Sequence, residues 1–189
     1  LVGSEMCIRD SIRTAPLKPT YLRFEGAGGQ HGYAYANLSG AVTSGRFSLL
    51  AAGSYRRSDG YRHNTDFANY NAFVRATYEA PRAGFFDLQA GYQNRTFGSN
   101  GFYAAYNPDQ WEATSTALAS LRWLKQAGRF SFGASASYRK NFDRYDWTRG
   151  TAMNRHNTDN VGARLWADYD WRAGTTSLGG DYAFNHIYS

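Results

Sequence analysis

The chain has 189 residues, of which 42% are hydrophobic, 17% aromatic and only 19% charged, with a formal net charge of +6. So little charge excludes a disordered acidic or basic tail, and a single Cys excludes a disulfide scaffold or a Cys-rich zinc module. A mean hydropathy of −0.61, with no apolar run approaching the ~18 residues of a membrane helix, excludes transmembrane helices. What remains, with 20 Gly, 15 Tyr, 12 Phe and 5 Trp against 4 Pro, is a polar, aromatic, Gly-rich chain of β type.

Residues 1–11 stand apart from the rest. They lack the apolar core and small-residue cleavage site of a signal peptide. Glu5-Met6-Cys7-Ile8-Arg9-Asp10-Ser11 resembles the in-frame translation of a transposase mosaic-end adapter used in sequencing libraries. Residues 1–11 are therefore read as non-native, 12–20 as a lead-in segment and 21–189 as the structured part. An adapter joined directly to coding sequence leads us to expect that native sequence precedes this point.

From residue 21 onward the pattern has period two, which predicts strands with two unlike faces. The first pair of strands falls at about 21–28 and 33–42, and Gly26-Ala27-Gly28-Gly29 reads as a hairpin turn without the strand–turn–helix setting of a phosphate loop. A tight turn at Thr43-Ser44-Gly45 leads into 46–58, and a long loop leads on to 67–79. The same unit recurs: turns at Arg82-Ala83-Gly84, Gln126-Ala127-Gly128 and Arg172-Ala173-Gly174 place their glycines 39, 44 and 46 residues apart. Gly45-Arg46-Phe47-Ser48-Leu49 is echoed by Gly128-Arg129-Phe130-Ser131-Phe132, and His63-Asn64-Thr65-Asp66 by His156-Asn157-Thr158-Asp159. Each repeat of about 40 residues is one descending strand, a tight turn, one ascending strand and a long loop.

The later strands fall at 85–97, 113–125, 129–142, 158–171 and 176–187, nine in all. Within the sixth, Leu118, Leu121 and Leu124 would share a helix face, but the phase of the repeat favours a strand. Pro81 and Pro108 sit in connections, as ladder hydrogen bonding requires. Strands of 12–14 residues exceed the usual ~5–6, and twelve residues tilted at ~45° cross roughly 28 Å, close to a hydrocarbon core. The apolar faces carry aromatics near both ends: Phe47, Tyr78, Phe86, Trp123, Phe130 and Trp171 at the turn end, Tyr55, Tyr70, Tyr92 and Tyr138 at the loop end. This is the pattern of an antiparallel transmembrane β-barrel with aromatic girdles, short turns on one side and long loops on the other. A β-sandwich also alternates, but it has shorter strands and no reason for paired aromatic rims.

Two stretches carry a family resemblance. Ser58-Asp59-Gly60-Tyr61-Arg62-His63-Asn64-Thr65-Asp66 and Gly91-Tyr92-Gln93-Asn94-Arg95-Thr96-Phe97-Gly98-Ser99-Asn100-Gly101-Phe102-Tyr103 resemble the early barrel of TonB-dependent outer-membrane receptors. The likeness is greatest to the vitamin B12 (cobalamin) branch, including forms from Bacteroides-type bacteria. The resemblance implies a 22-stranded barrel, a plug domain with a TonB box ahead of it, and energy-coupled import of a scarce ligand across the outer membrane. Nine strands without a plug would then be a fragment, the N-terminal part of such a barrel. An iron–siderophore receptor of the same family is the alternative substrate class, and an uncoupled porin or adhesin the alternative function. The partners implied are the TonB energy-coupling complex, membrane lipid and lipopolysaccharide, and a corrinoid or ferric siderophore.

Side-chain chemistry is sparse. The four His are far apart and lack metal-ligand spacing. Ser135 and Ser137 fall on the polar face without a neighbouring His or Asp in sequence, so no nucleophilic triad is expected. No catalytic residue, metal or cofactor is assigned, and nucleic acid is not expected. Asp59 and Asp66 are the carboxylates a loop calcium would use, but no dense Asp/Asn run accompanies them. The arginines Arg75, Arg95, Arg122, Arg139 and Arg164 fall on the polar face, where Asp87, Asp168 and Asp170 offer charge ladders. The candidate ligand contacts are loop aromatics and polar residues, Tyr61, Arg62, Phe102, Tyr103, Tyr106, Asn107, Trp111 and Trp147, because aromatics in long loops grip large, partly apolar ligands. The alternative is that these residues only pack the loops against one another.

Overall fold

A computed structural model describes residues 20–151 and 154–189. Residues 1–11, and the lead-in segment apart from Thr20, lie outside the described residues. Nine antiparallel strands, β1 (Tyr21–Gly28), β2 (Ala34–Ser44), β3 (Phe47–Ser58), β4 (Phe67–Ala80), β5 (Gly84–Gly98), β6 (Trp111–Ala127), β7 (Phe130–Asp146), β8 (Asn154–Trp171) and β9 (Gly174–Tyr188), follow one another in chain order. They form one open sheet with β1 and β9 as its edges. There is no helix among the described residues, and the Leu118–Leu124 stretch is strand throughout.

Every strand found by periodicity is present, most with shifted ends. Gly26-Ala27-Gly28, expected in a hairpin turn, are instead strand residues paired with Ala36, Tyr35 and Ala34, and the reversal lies over 29–33 because the ladder runs on to Gly28. β7 continues to Asp146 and β8 starts at Asn154, because Tyr145 pairs with Asn154 and Arg144 with Arg155 beyond the apolar stretch. Backbone pairing needs no apolar face, so it runs on where the side chains turn polar. For the same reason β6 begins at Trp111, which pairs with Gly98. Trp111 is thus a strand residue, not the loop residue that the sequence reading makes it.

Register separates the two faces along most of the sheet, with Leu50, Leu118 and Leu124 among the exceptions on the polar face and Lys125 and Lys140 on the apolar one. Leu22, Gly40, Ala51, Val74, Ala90, Ala119, Tyr138, Val161 and Phe184 lie in one cross-strand row. The row one residue along is Tyr21, Ala41, Leu50, Arg75, Gln89, Ser120, Ser137, Gly162 and Ala183. Phe47, Tyr78, Phe86 and Trp123 stand side by side on four strands at the turn end of the apolar face. At the loop end Tyr55 and Tyr70 are cross-strand partners with ring centroids 4.8 Å apart. Between β1 and β5 the apolar face dips into a shallow trough of about 820 Å³ lined by Leu22, Leu38, Val42, Leu49, Val74 and Tyr92.

Burial is inverted relative to a water-soluble domain. Among the described residues Ala41 is the one buried apolar side chain, whereas Arg75, Asp87, Ser99, Asn107, Gln110 and Asp146 are all buried. Large apolar groups lie open instead, with Leu22, Leu165 and Leu178 at 79%, 66% and 79% exposure. On the polar face Asp87 anchors a triad: Arg75 donates to it through Nε and Nη2 at 3.0 and 2.9 Å, and Arg122 at 3.0 Å. Asp168 and Asp170 do not join such a ladder. Arg164 lies directly across from Asp181 and pairs with it at 3.3 Å, while the partners opposite Asp168 and Asp170 are Ser177 and Thr175. Arg95 and Arg139 make no ion pair among the described residues.

Candidate functional site

The loops at one end of the sheet form a joined cap. It comprises residues 29–33, 59–66, 99–110 and 147–151, which connect strands that are neighbours in the sheet. Its centre is Asn64, held at φ 51°, a left-handed conformation that Asn tolerates better than most residues. Its Nδ2 donates to the carbonyls of Pro108 and Gln110 at 2.9 and 2.5 Å, and its own carbonyl accepts from Asn100 N–H at 3.3 Å. Gly98 lies directly beneath, and a Cβ there would sit 2.4 Å from the Asn64 carbonyl oxygen, so only Gly permits this approach.

Longer-range bonds tie the remaining loops in. Arg149 reaches 83 residues back to clamp Asp66 with two bonds of 2.7 and 2.9 Å, and its N–H donates to the Asp109 carbonyl at 2.8 Å. This guanidinium holds the Asp66 carboxyl below the usual carboxylate range, against a smaller opposing effect of burial. The Arg144 guanidinium grips Asp146, which is fully buried and also accepts from Gly150 N–H at 2.9 Å. Both arginines lie over the Trp111 ring, at 5.2 and 5.8 Å from its centroid. His63 Nε2 lies 2.6 Å from Asp109 Oδ1, and Asp59 N–H donates to the His31 carbonyl at 2.7 Å. Asp59 is also paired with Arg57 at 2.7 Å. Both carboxylates that a calcium ion would use are therefore taken up by arginines.

Six of the eight sequence-derived candidates fall into three ring contacts. Phe102 and Tyr103 meet edge to face at 4.9 Å, and Tyr103 meets Tyr145 at 5.1 Å, making a three-ring stack. The Tyr103 hydroxyl donates to Glu112 at 2.5 Å, and this bond, with burial behind it, pushes the phenol up to about 12. Tyr106 and Trp147 form a second pair at 6.0 Å. Tyr61 and Arg62 form a third, the guanidinium 5.3 Å from the ring centroid. Phe102, Tyr106 and Tyr61 are 77%, 81% and 71% exposed, so each offers an open ring face.

Asn107 and Trp111 play other parts. Asn107 is buried, donates to the Trp147 carbonyl at 2.7 Å and accepts from Asp109 N–H at 3.0 Å, so it braces one loop against the next. Trp111 is the platform under Arg144 and Arg149. Sequence reasoning missed Tyr145, Asn64, Gln110, Asp146 and Arg149. Tyr145 was findable, because it continues the polar-face alternation of Asn141 and Asp143 to the loop end of β7. The others are ordinary polar loop residues whose partners are far away in sequence.

No family model matches this chain, and no curated protein matches it.

Proposed function

We propose that this sheet is one arc of a closed β-barrel in the outer membrane, and that the loop cap is part of the ligand-gripping mouth of a TonB-dependent receptor. The observation that carries this reading is the inverted burial, with large apolar side chains open along most of one face and the buried groups polar or ionic, on the other face or under the loops. Water penalises such a face, whereas acyl chains match it. Strands of up to 18 residues suit a tilted span with polar extensions into the loops. Two edge strands left open in lipid would cost several kcal/mol for each unsatisfied backbone group, so pairing with further strands follows from the same reading. The sequence resemblance puts that wall at 22 strands around a plug.

Within this reading the ligand is a large, scarce molecule, a cobalamin-type corrinoid. The open rings of Tyr61, Phe102, Tyr106 and Trp147 supply apolar contact, and Arg62 and Tyr103 supply polar contact. Import is driven through the TonB complex acting on the plug. The test begins with a read of the parent gene: an upstream plug and TonB box support energy coupling, and a short frame encoding only a small barrel removes it. Equilibrium dialysis of the intact receptor against cyanocobalamin and a ferric siderophore then decides the ligand. Tight cyanocobalamin binding that falls roughly tenfold or more in a Tyr106→Ala/Trp147→Ala variant is expected, as for central aromatic anchors. Binding of the siderophore alone defeats the corrinoid assignment.

A further inference from the structure

The opposite end of the sheet holds a feature that neither strand rhythm nor ligand capture explains. Four tight turns connect β2 to β3, β4 to β5, β6 to β7 and β8 to β9, and each contains one arginine: Arg46, Arg82, Arg129 and Arg172. Turn chemistry does not ask for them. Gly45 and Gly128, at φ 57° and 62°, provide the left-handed residue these connections need. The position beside it ordinarily takes Asn, Asp, Ser or Gly. All four arginines are exposed, and none makes a side-chain hydrogen bond or ion pair among the described residues. Two of their backbones are anchored across the turn: the Arg46 carbonyl accepts from Glu79 N–H and the Arg129 carbonyl from Asp170 N–H, each at 2.9 Å.

Placement gives the row its meaning. Successive turns are two strands apart, roughly 10 Å at the usual spacing between neighbouring strands. The arginines follow directly on the aromatic rim of the apolar face, where Phe47, Tyr78, Phe86 and Trp123 are aligned. Lys125, on the apolar face beside Trp123 in sequence, adds a fifth cation at this end. The nearby carboxylates Glu79, Asp168 and Asp170 occupy polar-face positions, and Asp170 accepts from Thr175 Oγ1 at 2.6 Å. Arg46 and Arg129 lie directly across from Glu79 and Asp170 yet form no ion pair with them, so the turn cations stand exposed at the end of the sheet, just past the aromatic rim.

We propose that the turn-side rim is a binding surface for anionic phospholipid headgroups, the four turn arginines each contacting lipid phosphate in the leaflet that the aromatic rim abuts. A guanidinium fork matches phosphate oxygens two at a time, and a cation held beside buried apolar surface is where headgroup phosphate lies. The row pins the depth of the sheet in the bilayer and biases it toward anionic lipid. This rests on the barrel reading, and the experiment separates the two.

The full chain, refolded from denaturant, is floated with vesicles of phosphatidylcholine alone and of equimolar phosphatidylcholine and phosphatidylglycerol. Binding to the neutral vesicles reports the apolar face. The anionic vesicles are expected to bind more tightly by roughly fivefold per arginine at low salt, a gain that shrinks as salt rises. The Arg46→Gln/Arg82→Gln/Arg129→Gln/Arg172→Gln variant should lose that gain and keep neutral binding, and the corresponding four-lysine variant should keep most of it. A gain that survives in the glutamine variant overturns the proposal. So does its abolition by inorganic phosphate at matched ionic strength, which would mark a free-phosphate site. Failure to bind neutral vesicles with the anionic gain intact strikes the barrel reading and leaves the headgroup surface standing.

Discussion

The two ends of the sheet are built on opposite principles. At the turn end, connections are minimal, their geometry is set by local glycine chemistry, and the arginines they display are unpaired. At the loop end, connections are long and each is fixed by residues tens of positions away: Asn64 by Pro108 and Gln110, Arg149 by Asp66, Asn107 by Trp147. A chain that reverses in two or three residues gains its shape from backbone preference. A chain that wanders for a dozen residues gains it only where buried polar groups find partners. The turn end thus leaves its arginines exposed, while the loop end ties its exposed aromatic rings into a bonded network.

The comparison breaks most visibly where each half keeps its buried polar group. Asp87, in the turn half of the sheet, is 1% exposed and serves both Arg75 and Arg122. Asp87→Ala removes the carboxylate from two guanidiniums and is expected to cost about 3 kcal/mol, read from urea unfolding in detergent. In the loop half, Gly98→Ala sets a methyl against the Asn64 carbonyl and should cost about 2 kcal/mol. Its signature is faster proteolysis of the 59–66 and 99–110 loops with the turn end unchanged. Equal loosening of both ends would mean the cap is not an independent unit.

Smaller changes sharpen the contrast. Asn64→Ala loses both side-chain donations and keeps the left-handed strain, whereas Asn64→Gly loses the donations alone. Hydrogen exchange of the loop amides should therefore report about 2 kcal/mol for the first and about 1 kcal/mol less for the second. A subtler probe is pH. Because Arg149 depresses the Asp66 carboxyl in the folded cap, that clamp is fully stabilising above the ordinary carboxylate pKa and is lost as pH falls through the depressed value. Trp111, beneath Arg149, should change its fluorescence over that acid range, and Asp66→Asn should flatten the response. The smallest effect concerns Tyr103, whose phenol is raised to about 12. Its bond to Glu112 is intact below the phenol's ordinary pKa and lost as pH rises through the raised one. An ultraviolet titration of the phenols should lose part of its latest ionisation in Tyr103→Phe, and Glu112→Gln should bring that part earlier.

The sequence by itself determined the nine strands, their order of descent and ascent, and which residues share a face. Those features repeat every second residue and every 40 or so, and backbone pairing turns such a rhythm into register without outside help. The aromatic row Phe47, Tyr78, Phe86 and Trp123 and the turn glycines were legible for that reason. The ends of β6, β7 and β8 were not, because pairing outlasts the apolar pattern into water. Nor were the partners of Arg164, where the residue directly across the ladder, Asp181, prevailed over Asp168 and Asp170. The cap was decided by tertiary structure alone. Asn64, Gln110, Asp146 and Arg149 follow no period, and a loop contact spanning 83 residues is selected only by which polar groups the sheet brings side by side.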